Sequence, residues 1–358
     1  MSFKNLFAAA ALLLFSGSAM AQNTTEANPT EQSVAVEKKE KKEKKESKVK
    51  AFADKHLNLS GYLQTGFEWN QINDPETTFY VKRARVSLTG DFLNEKFDYR
   101  LQVDMAGSPK ICDLYVRYMP FSELNLEIGQ FKIPFSYENE NCGPASVEFI
   151  EYSYITTYLA RNNSLYDGIA STGRDIGFQV YGDLVNRDGQ SLLKYNIGVF
   201  NGNGINCKDN NSSKDFIARL IVRPFKGFAV TGSYMYSKTQ MYGYDVESPR
   251  WAVGALYESR HWVARSEFAQ ADFGDNITNA FYVLGGYHFD EPWSVFARYE
   301  FLNDRVTIMD RERFGLGAAY KPFKFLRLQF NLTYEKLNDM PKDLRNNFGA
   351  NLMVTAIF

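Results

Sequence analysis

From Leu57 to the last residue, apolar and polar side chains alternate in repeated segments of about ten residues, separated by Gly, Asn, Asp and Pro. The clearest segment runs from Leu326 to Tyr334, where Leu, Phe and Tyr alternate with Arg, Gln, Asn and Thr. The same period recurs in Lys82 to Gly90, Tyr99 to Met105, Arg174 to Gly182 and Trp293 to Phe301. Alternate residues of a strand point to opposite faces of a sheet. The pattern therefore predicts strands with lipid on one face and water on the other.

These segments number about 16, an even count that suits a single-chain bacterial barrel. Their connections alternate between short turns and longer polar loops, as expected for short periplasmic turns and longer extracellular loops. Four of the short connections share a Pro-aromatic dipeptide: Pro120-Phe121, Pro224-Phe225, Pro292-Trp293 and Pro322-Phe323. The sequence thus predicts an all-β fold, a transmembrane antiparallel β-barrel of about 16 strands.

The composition agrees with a barrel. Aromatic residues make up 15% of the chain, with 22 Tyr and 29 Phe, although the mean hydropathy is only -0.37. A polar average with many aromatic residues is expected when only one face of each strand meets lipid. Beyond the N-terminal segment, no stretch approaches the roughly 20 apolar residues that a spanning helix needs. A helical membrane protein is therefore excluded.

Two segments precede the barrel. Residues 1–21 place Lys4 before an apolar run and end on Ala19-Met20-Ala21, which predicts a signal peptide cleaved after Ala21. Residues 22–56 contain a Glu/Lys run without the apolar seam of a coiled coil, and predict a charged periplasmic linker, helical or disordered. We therefore expect export to the outer membrane, with the barrel over residues 57–358.

One predicted connection is far longer than the others. After the fifth strand, residues 136–173 form a loop of about 38 residues, where 2 to 6 are usual. Its aromatic and apolar residues disfavour disorder, and in a barrel they can be buried only against the inner wall. An inward-folded loop would narrow the pore and bring Glu148, Glu151 or Arg161 to the constriction.

The C-terminal segment alternates and stops on an aromatic residue. One face carries Phe348, Leu352, Val354 and Phe358. This segment resembles the terminal strand by which outer-membrane barrels are recognised for insertion. We therefore expect these residues to form the membrane-insertion strand and the barrel assembly machinery to be a partner.

Strand parity predicts which charged residues face the lumen. If Ala84, Val86 and Leu88 face lipid, Arg83 and Arg85 face inward. The same count gives eight pore-lining arginines: Arg83, Arg85, Arg100, Arg117, Arg219, Arg265, Arg298 and Arg327. An always-charged, planar guanidinium suits phosphate and carboxylate, so this set predicts an anion-selective pore.

Acidic residues on the same inner face leave a second interpretation open. Six acids share that parity: Asp104, Asp113, Glu127, Asp175, Glu267 and Glu300. Arg265 and Glu267, like Arg298 and Glu300, are two residues apart on one wall and near enough to interact. Outside the first 56 residues the chain is net acidic, and balanced charge would give a general porin with weak selectivity.

The fifth strand breaks the parity rule. If Leu126 and Ile128 face lipid, so do Gln130 and Lys132, whereas Phe131 would face inward. A β-bulge, in which one inserted residue reverses the alternation, would restore the pattern.

Four segments together resemble the phosphate-selective porin O and P family of Gram-negative outer membranes. They are FYVKRARVSL at residues 79–88, IGQFKIPF at residues 128–135, RDIGFQVYG at residues 174–182 and YNIGVFNGN at residues 195–203. The resemblance extends from about Leu59 to Phe358. It implies a 16-stranded barrel, commonly a homotrimer, with the third extracellular loop folded inward, which passes small hydrophilic solutes or anions.

Other functions find little support in the sequence. His56, His261 and His288 lack metal-ligand spacing and no nucleophile motif accompanies them, so we expect neither a metal, a cofactor nor an enzyme. Nothing indicates a nucleic-acid partner. Cys112, Cys142 and Cys207 are an odd number, so at least one is unpaired or bonds another chain; if a pair forms, we expect Cys142 with Cys207. The main alternative is a structural or adhesive outer-membrane barrel that conducts little.

Overall fold

The fold is that of a computed structural model, which describes residues 56–93, 95–160, 172–187, 189–209, 211–241, 244–274, 276–290, 292–305, 310–342 and 344–358. Sixteen antiparallel strands form one closed barrel, in which each strand pairs with its neighbours and the last strand pairs with the first. The predicted all-β barrel of about 16 strands is confirmed. The predicted signal peptide and most of the linker lie outside the described residues.

The strands follow one another around the barrel in chain order. They are β1 (Asn58–Asn70), β2 (Thr77–Phe92), β3 (Phe97–Asp104), β4 (Lys110–Phe121), β5 (Leu124–Lys132), β6 (Arg174–Arg187), β7 (Gln190–Phe200), β8 (Asp215–Phe225), β9 (Phe228–Tyr236), β12 (Arg250–Glu258), β13 (Trp262–Asp272), β14 (Ile277–His288), β15 (Trp293–Asn303), β16 (Arg311–Phe323), β17 (Leu326–Leu337) and β18 (Asn346–Ile357). Between β9 and β12, the strands β10 (Lys238–Met241) and β11 (Tyr244–Glu247) form a separate two-stranded sheet.

The barrel wall has an apolar outer face and a polar inner face. In β17, Phe330 and Leu332 are exposed, whereas Gln329 and Asn331 are buried. Gln329 and Asn331 are buried although they are polar, because the inner face is covered by the chain between β5 and β6. The alternation predicted from the sequence is confirmed in this strand.

Aromatic side chains concentrate near both ends of the outer face. At one end, Trp293 packs on Tyr320 with ring centroids 4.4 Å apart. At the other end, Tyr334 packs on Phe348 at 5.0 Å. Aromatic girdles at the two interfaces are typical of membrane barrels, because a large ring with a polar edge suits the headgroup region.

Three of the Pro-aromatic dipeptides end strands at tight turns, and the fourth, Pro292-Trp293, begins β15 after such a turn. Phe121 pairs with Leu124 and Phe225 pairs with Phe228 across hairpins, and Phe323 pairs with Leu326 in the same way. In the second turn Gly227 has a φ of 84°, and a Cβ would lie 2.5 Å from the Glu258 carbonyl oxygen. We call this the turn end of the barrel, and the opposite end, where β5 and β6 are joined by residues 133–173, the loop end.

Besides three register shifts next to the Pro-aromatic turns, two bulges within the described strands change the parity of the wall. Between β1 and β2, Gln64 pairs with Arg83 and Thr65 with Val81, so Lys82 is the extra residue. Between β3 and β4, Gln102 pairs with Asp113 and Val103 with Ile111, so the extra residue is Cys112.

The second bulge bears on the predicted irregularity of the fifth strand. The extra residue lies in β4, at Cys112, and not in β5 as the sequence suggested. Gln130 of β5 is buried and donates to the carbonyls of Ile111 and Cys112 at the bulge. Gln130 is thus shielded at the bulge, although it is in register with the exposed Leu114 of β4, and Phe131 is buried as the alternation predicted.

The last strand closes the barrel by pairing with β1 and β17. At its end, the backbone of Phe358 and that of Gly61 exchange two hydrogen bonds of 2.8 and 3.0 Å. The Phe358 ring lies so close to Gly61 that a Cβ there would be 2.5 Å from a ring atom. Phe348, Leu352 and Phe358 are exposed on the outer face.

In the part of the chain that the structure describes, helical structure is confined to short elements. The helix α1 (Tyr137–Asn141) and a π-helix (Ile155–Ala160) both lie between β5 and β6. Among the described residues, no helix is long and apolar enough to cross a membrane. All three cysteines are free thiols, so no pair forms among them and the conditional pairing of Cys142 with Cys207 is not tested.

We expect Leu316→Arg to destabilise the barrel by about 2–4 kcal/mol, since Leu316 lies mid-strand in β16 and its side chain is exposed on the apolar outer face. A guanidinium there must be desolvated or must distort the bilayer. Reversible denaturant unfolding in lipid vesicles measures the difference. Leu316→Met is the control, because it keeps the volume and should change the stability by less than about 1.5 kcal/mol. Equal stability of both variants would contradict a lipid-facing position.

Candidate functional site

The segment from Ile133 to Ala160 is hydrogen-bonded to side chains of the barrel strands at three places. The first is α1, whose start is bound by Glu267 of β13. The Glu267 carboxylate accepts hydrogen bonds from the Ser136 hydroxyl at 3.0 Å, the Tyr137 amide at 2.7 Å and the Glu138 amide at 3.3 Å. Tyr282 of β14 donates to the same carboxylate at 2.8 Å. One fully buried wall residue thus accepts hydrogen bonds from the backbone N–H groups that have no partner within the helix at its start.

The second attachment is a group of charged residues on β15 and β16. Glu300 accepts the Tyr154 amide at 2.7 Å and pairs with Arg298 at 2.9 Å and with Arg313 at 2.7 Å. Both arginines also donate to loop carbonyls, Arg298 to Glu151 at 3.0 Å and Arg313 to Tyr152 at 3.1 Å. The charges of this group are satisfied within the group and by the loop.

Aromatic side chains strengthen the second attachment. The Arg298 guanidinium lies 4.4 Å from the Phe149 ring centroid, and that of Arg313 lies 4.5 Å from Tyr154. Phe149 sits above Gly315, where a Cβ would approach its ring to 2.7 Å. The glycine therefore makes room for the ring, and cation–π contacts add of the order of 1 kcal/mol each.

The third attachment is made by β17 and β1. Arg327 donates to the carbonyls of Ala145 and Val147 at 3.1 and 3.0 Å. From the neighbouring part of the wall, Gln64 donates to the Pro144 carbonyl at 2.8 Å. The segment is therefore tied to the wall along most of its described length, from β13 round to β1.

The predicted constriction residues are engaged in ion pairs. Glu148 pairs with Arg265 at 3.1 Å, and Glu151 pairs with Lys82, the extra residue of the β2 bulge. Arg265 does not pair with Glu267, as the spacing of the two residues suggested, but with Glu148 and Glu258. The third predicted residue, Arg161, lies outside the described residues.

Among the groups of the segment whose pKa values are shifted, Glu138 and Cys142 bear most directly on its chemistry. Burial opposes ionisation of Glu138, but nearby Arg298 and hydrogen bonds from Ser153 and Thr156 hold the pKa of the Glu138 carboxyl below its ordinary value. Burial raises the pKa of the Cys142 thiol far above its ordinary value. Glu138 therefore stays ionised inside the loop, whereas Cys142 is an unreactive thiol.

A cavity of about 390 Å³ remains between residues 140–145 of the loop and the wall formed by β1 to β6. Its lining contains five cationic and three acidic side chains: Arg85, Arg100, Arg117, Lys132, Arg174, Asp113, Glu127 and Glu140. Positive charge is thus in excess in the space that the loop leaves open.

Each of the four arginines pairs with a wall carboxylate, Arg85 with Asp104 at 2.8 Å, but one carboxylate serves two of them. Asp113 is shared by two of them, with Arg174 at 2.6 Å and Arg100 at 3.3 Å. Arg117 forms a two-bond pair with Asp98, at 2.7 and 2.6 Å. Because one carboxylate faces two guanidiniums at Asp113, a positive charge remains on this wall, and the Arg100 side chain is 36% exposed.

The eight arginines predicted to line the pore fall into three groups. Three of them line the cavity: Arg85, Arg100 and Arg117. Four contact the loop between β5 and β6: Arg219, Arg265, Arg298 and Arg327. Arg83 donates to the Gln64 side chain at 2.9 Å.

Strand parity did not assign three cations to the inner side, although the structure places them there. Lys82 reaches Glu151 because it is the extra residue of a bulge. Arg174 is the first residue of β6, where strict alternation has not begun, and both it and Asp175 are buried. Lys132, at the other side of the same loop, donates to the Asn139 carbonyl at 2.6 Å. Arg174 and Lys132 could have been identified from the sequence, because each is a basic residue at a strand end next to a long loop.

Within the described part of the chain, no group of three or more His, Cys, Asp or Glu side chains is arranged to hold a metal ion.

Three solved structures share the fold at low sequence identity. The anion-selective porin from Comamonas acidovorans superposes with a TM-score of 0.68 at 13% identity, covering 84% of this chain and 99% of that one. OmpT from Vibrio cholerae, solved in a trimer form, gives 0.61 at 15%, with 84% and 99% covered. The outer-membrane channel DcaP of Acinetobacter baumannii gives 0.62 at 14%, with 84% and 97% covered.

Comparison with curated protein sequences gives no match. A family model does match, described as phosphate-selective porin O and P, and it covers residues 60–259. That range is more than half of the chain and includes β1 to β9, the loop between β5 and β6, and the cavity-lining wall. With this match and the closed barrel of 16 strands, the chain belongs to the phosphate-selective porin O and P family.

Proposed function

We propose that this chain is an outer-membrane porin through which small hydrophilic solutes diffuse passively, with a preference for anions. The observation that carries the anion preference is the cavity lining, in which five cations face three acids. A ring of fixed charge raises the local concentration of the opposite ion and lowers its barrier to passage. The Comamonas acidovorans relative of the same fold is described as anion-selective.

The loop between β5 and β6 is the third long connection of the barrel, after those between β1 and β2 and between β3 and β4. We infer that it is the third extracellular loop, folded inward to form the constriction. Its bonds to Glu267, Glu300 and Arg327 support this position. The cavity beside residues 140–145 is then the narrow part of the pore.

Export, assembly and partners follow from the same proposal. Residues 1–21 are removed as a signal peptide, and residues 22–56 extend into the periplasm. The barrel assembly machinery recognises the last strand, including Phe348, Leu352, Val354 and Phe358. The outer face contacts outer-membrane lipid, and three copies form a homotrimer, as the trimer form of the Vibrio cholerae relative suggests. The family and fold are those of channels, so no enzymatic activity or cofactor is proposed.

Single-channel recording of the purified protein in a planar bilayer tests the function. We expect discrete open steps, a reversal potential on the chloride side across a KCl gradient, and lower current on adding phosphate. Open steps with a reversal potential near zero would mean a general porin. A folded, heat-modifiable barrel that gives no open steps would contradict the porin function and favour the structural or adhesive alternative.

A further inference from the structure

The cavity at the proposed constriction is large for an inorganic anion. It measures about 390 Å³, and one water molecule occupies roughly 30 Å³ in the liquid, so the space corresponds to roughly a dozen waters. Inorganic phosphate would fill a small part of it. The volume lies within the range of about 300–1,000 Å³ typical of sites for organic ligands.

The lining is also more varied than an inorganic anion requires. Besides the arginines it includes the rings of Tyr62 and Tyr115 and the amides of Gln102, Gln179 and Asn141. An amide can both donate and accept, which suits hydroxyl groups, and a tyrosine offers an apolar face with a polar edge. Guanidinium groups, amides and aromatic rings together match a ligand that has an acidic group and a hydroxylated body.

Three buried polar atoms of this lining make no hydrogen bond among the described residues: the Tyr62 hydroxyl, the Arg100 Nε and the Glu140 Oε2. The last two are in ion pairs, Arg100 Nε with Asp113 at 3.3 Å and Glu140 with Arg219, which leaves the Tyr62 hydroxyl as the atom without a charged or hydrogen-bonding partner among them. The Arg85 guanidinium lies 6.0 Å from the Tyr62 ring centroid, so the hydroxyl is close to positive charge. A buried polar group needs a partner from water or a ligand, so the Tyr62 hydroxyl beside the cavity is available to a molecule bound there.

We propose that this cavity binds organic acids of monosaccharide size, with the acidic group on Arg100 and the Tyr62 hydroxyl and the hydroxylated body against Tyr115 and the amides. This substrate class rests on the proposed porin function and specifies it. Tyr62 is then a specificity-determining residue, because its hydroxyl adds a hydrogen bond at the place where the arginines supply charge. Inorganic phosphate passes through the same cavity but contacts fewer of these side chains.

The test compares glucose 6-phosphate with inorganic phosphate as blockers of KCl current through the full-length mature protein. At about pH 8 the phosphoryl groups of both probes are mainly dianionic, so charge is matched. We expect glucose 6-phosphate to block at a concentration roughly three- to tenfold lower than phosphate, the gain that one or two extra hydrogen bonds provide. Uncharged glucose should block far less than either probe. Equal block by the two phosphates, or by glucose and glucose 6-phosphate, would overturn the proposal.

Tyr62→Phe removes a single hydroxyl and should reduce the advantage of glucose 6-phosphate over phosphate. Tyr80→Phe is the matched control, because Tyr80 also has its hydroxyl inside the barrel, bonded to Asn351, but does not line the cavity. An unchanged blocking ratio in Tyr62→Phe, or an equal loss in Tyr80→Phe, would refute the role of Tyr62. Reversal potentials recorded in the same membranes separate the two proposals. A reversal potential near zero would contradict the anion preference, whereas the blocking ratio tests only the preference for organic acids.

Discussion

Replacing Glu267 with alanine is expected to release the start of the loop from the wall, giving larger and noisier single-channel currents while the barrel stays folded. The Glu267 carboxylate binds the Ser136 hydroxyl, the amides of Tyr137 and Glu138, and the Tyr282 hydroxyl. Removing it leaves several buried donors without an acceptor, at about 1–3 kcal/mol each. The free energy that holds this part of the loop should therefore fall by roughly 2–5 kcal/mol.

Glu267→Gln separates the loss of the acceptor from the loss of volume. The amide keeps one acceptor oxygen, so we expect currents between those of the native protein and Glu267→Ala. Glu312→Ala serves as a control, because Glu312 pairs with Lys336 on β17 and its loss removes a wall carboxylate without touching the loop. A folded Glu267→Ala barrel with native conductance and noise would show that this residue does not hold the constriction.

The second large effect is expected for Arg100→Glu, which should abolish or reverse the anion preference. Arg100 lines the cavity and shares Asp113 with Arg174, so the substitution adds a carboxylate where positive charge is in excess. Two unit charges about 4 Å apart interact with a free energy of roughly 1 kcal/mol in water, and this substitution changes the local charge by two elementary charges. The chloride-to-potassium permeability ratio should then fall roughly ten- to thirtyfold, as the reversal potential across a KCl gradient will measure.

Arg260→Glu makes the same change in net charge far from the cavity. Arg260 is 80% exposed and pairs with Asp290 at the turn end of the barrel. We expect its reversal potential to stay close to the native value, because exposed charges beyond a Debye length are screened. An equal shift in both variants would attribute the selectivity to the charge of the whole protein and not to the cavity wall.

The loop explains why the predicted pore-lining arginines do not act alike. Arg219, Arg265, Arg298 and Arg327 contact the loop, and their charges are taken up by its carboxylates and carbonyls. Arg85, Arg100 and Arg117 pair instead with carboxylates of the wall, and Asp113 is shared by Arg100 and Arg174, so part of the positive charge is left for a solute. Selectivity is therefore expected to depend on the loop as much as on the wall, because the loop decides which side remains open.

The amino-acid sequence by itself determined the barrel. The alternation of Leu and Phe with polar residues in β17, the Pro-aromatic turns and the length of the connection after the fifth strand all predicted elements that the fold contains. These features are local: side-chain alternation has a period of two, and a turn depends on a few adjacent residues. Inner and outer faces could therefore be assigned strand by strand before any strand was paired.

Only the tertiary structure decided which charges meet. The bulges at Lys82 and Cys112 depend on the register between neighbouring strands, and no single strand encodes that register. The division between Arg298, which binds the loop, and Arg100, which lines the cavity, depends on where residues 136–160 lie after the barrel has closed. Contacts between residues more than a hundred positions apart, such as Glu148 with Arg265, arise from closure and packing, and local periodicity carries no information about them.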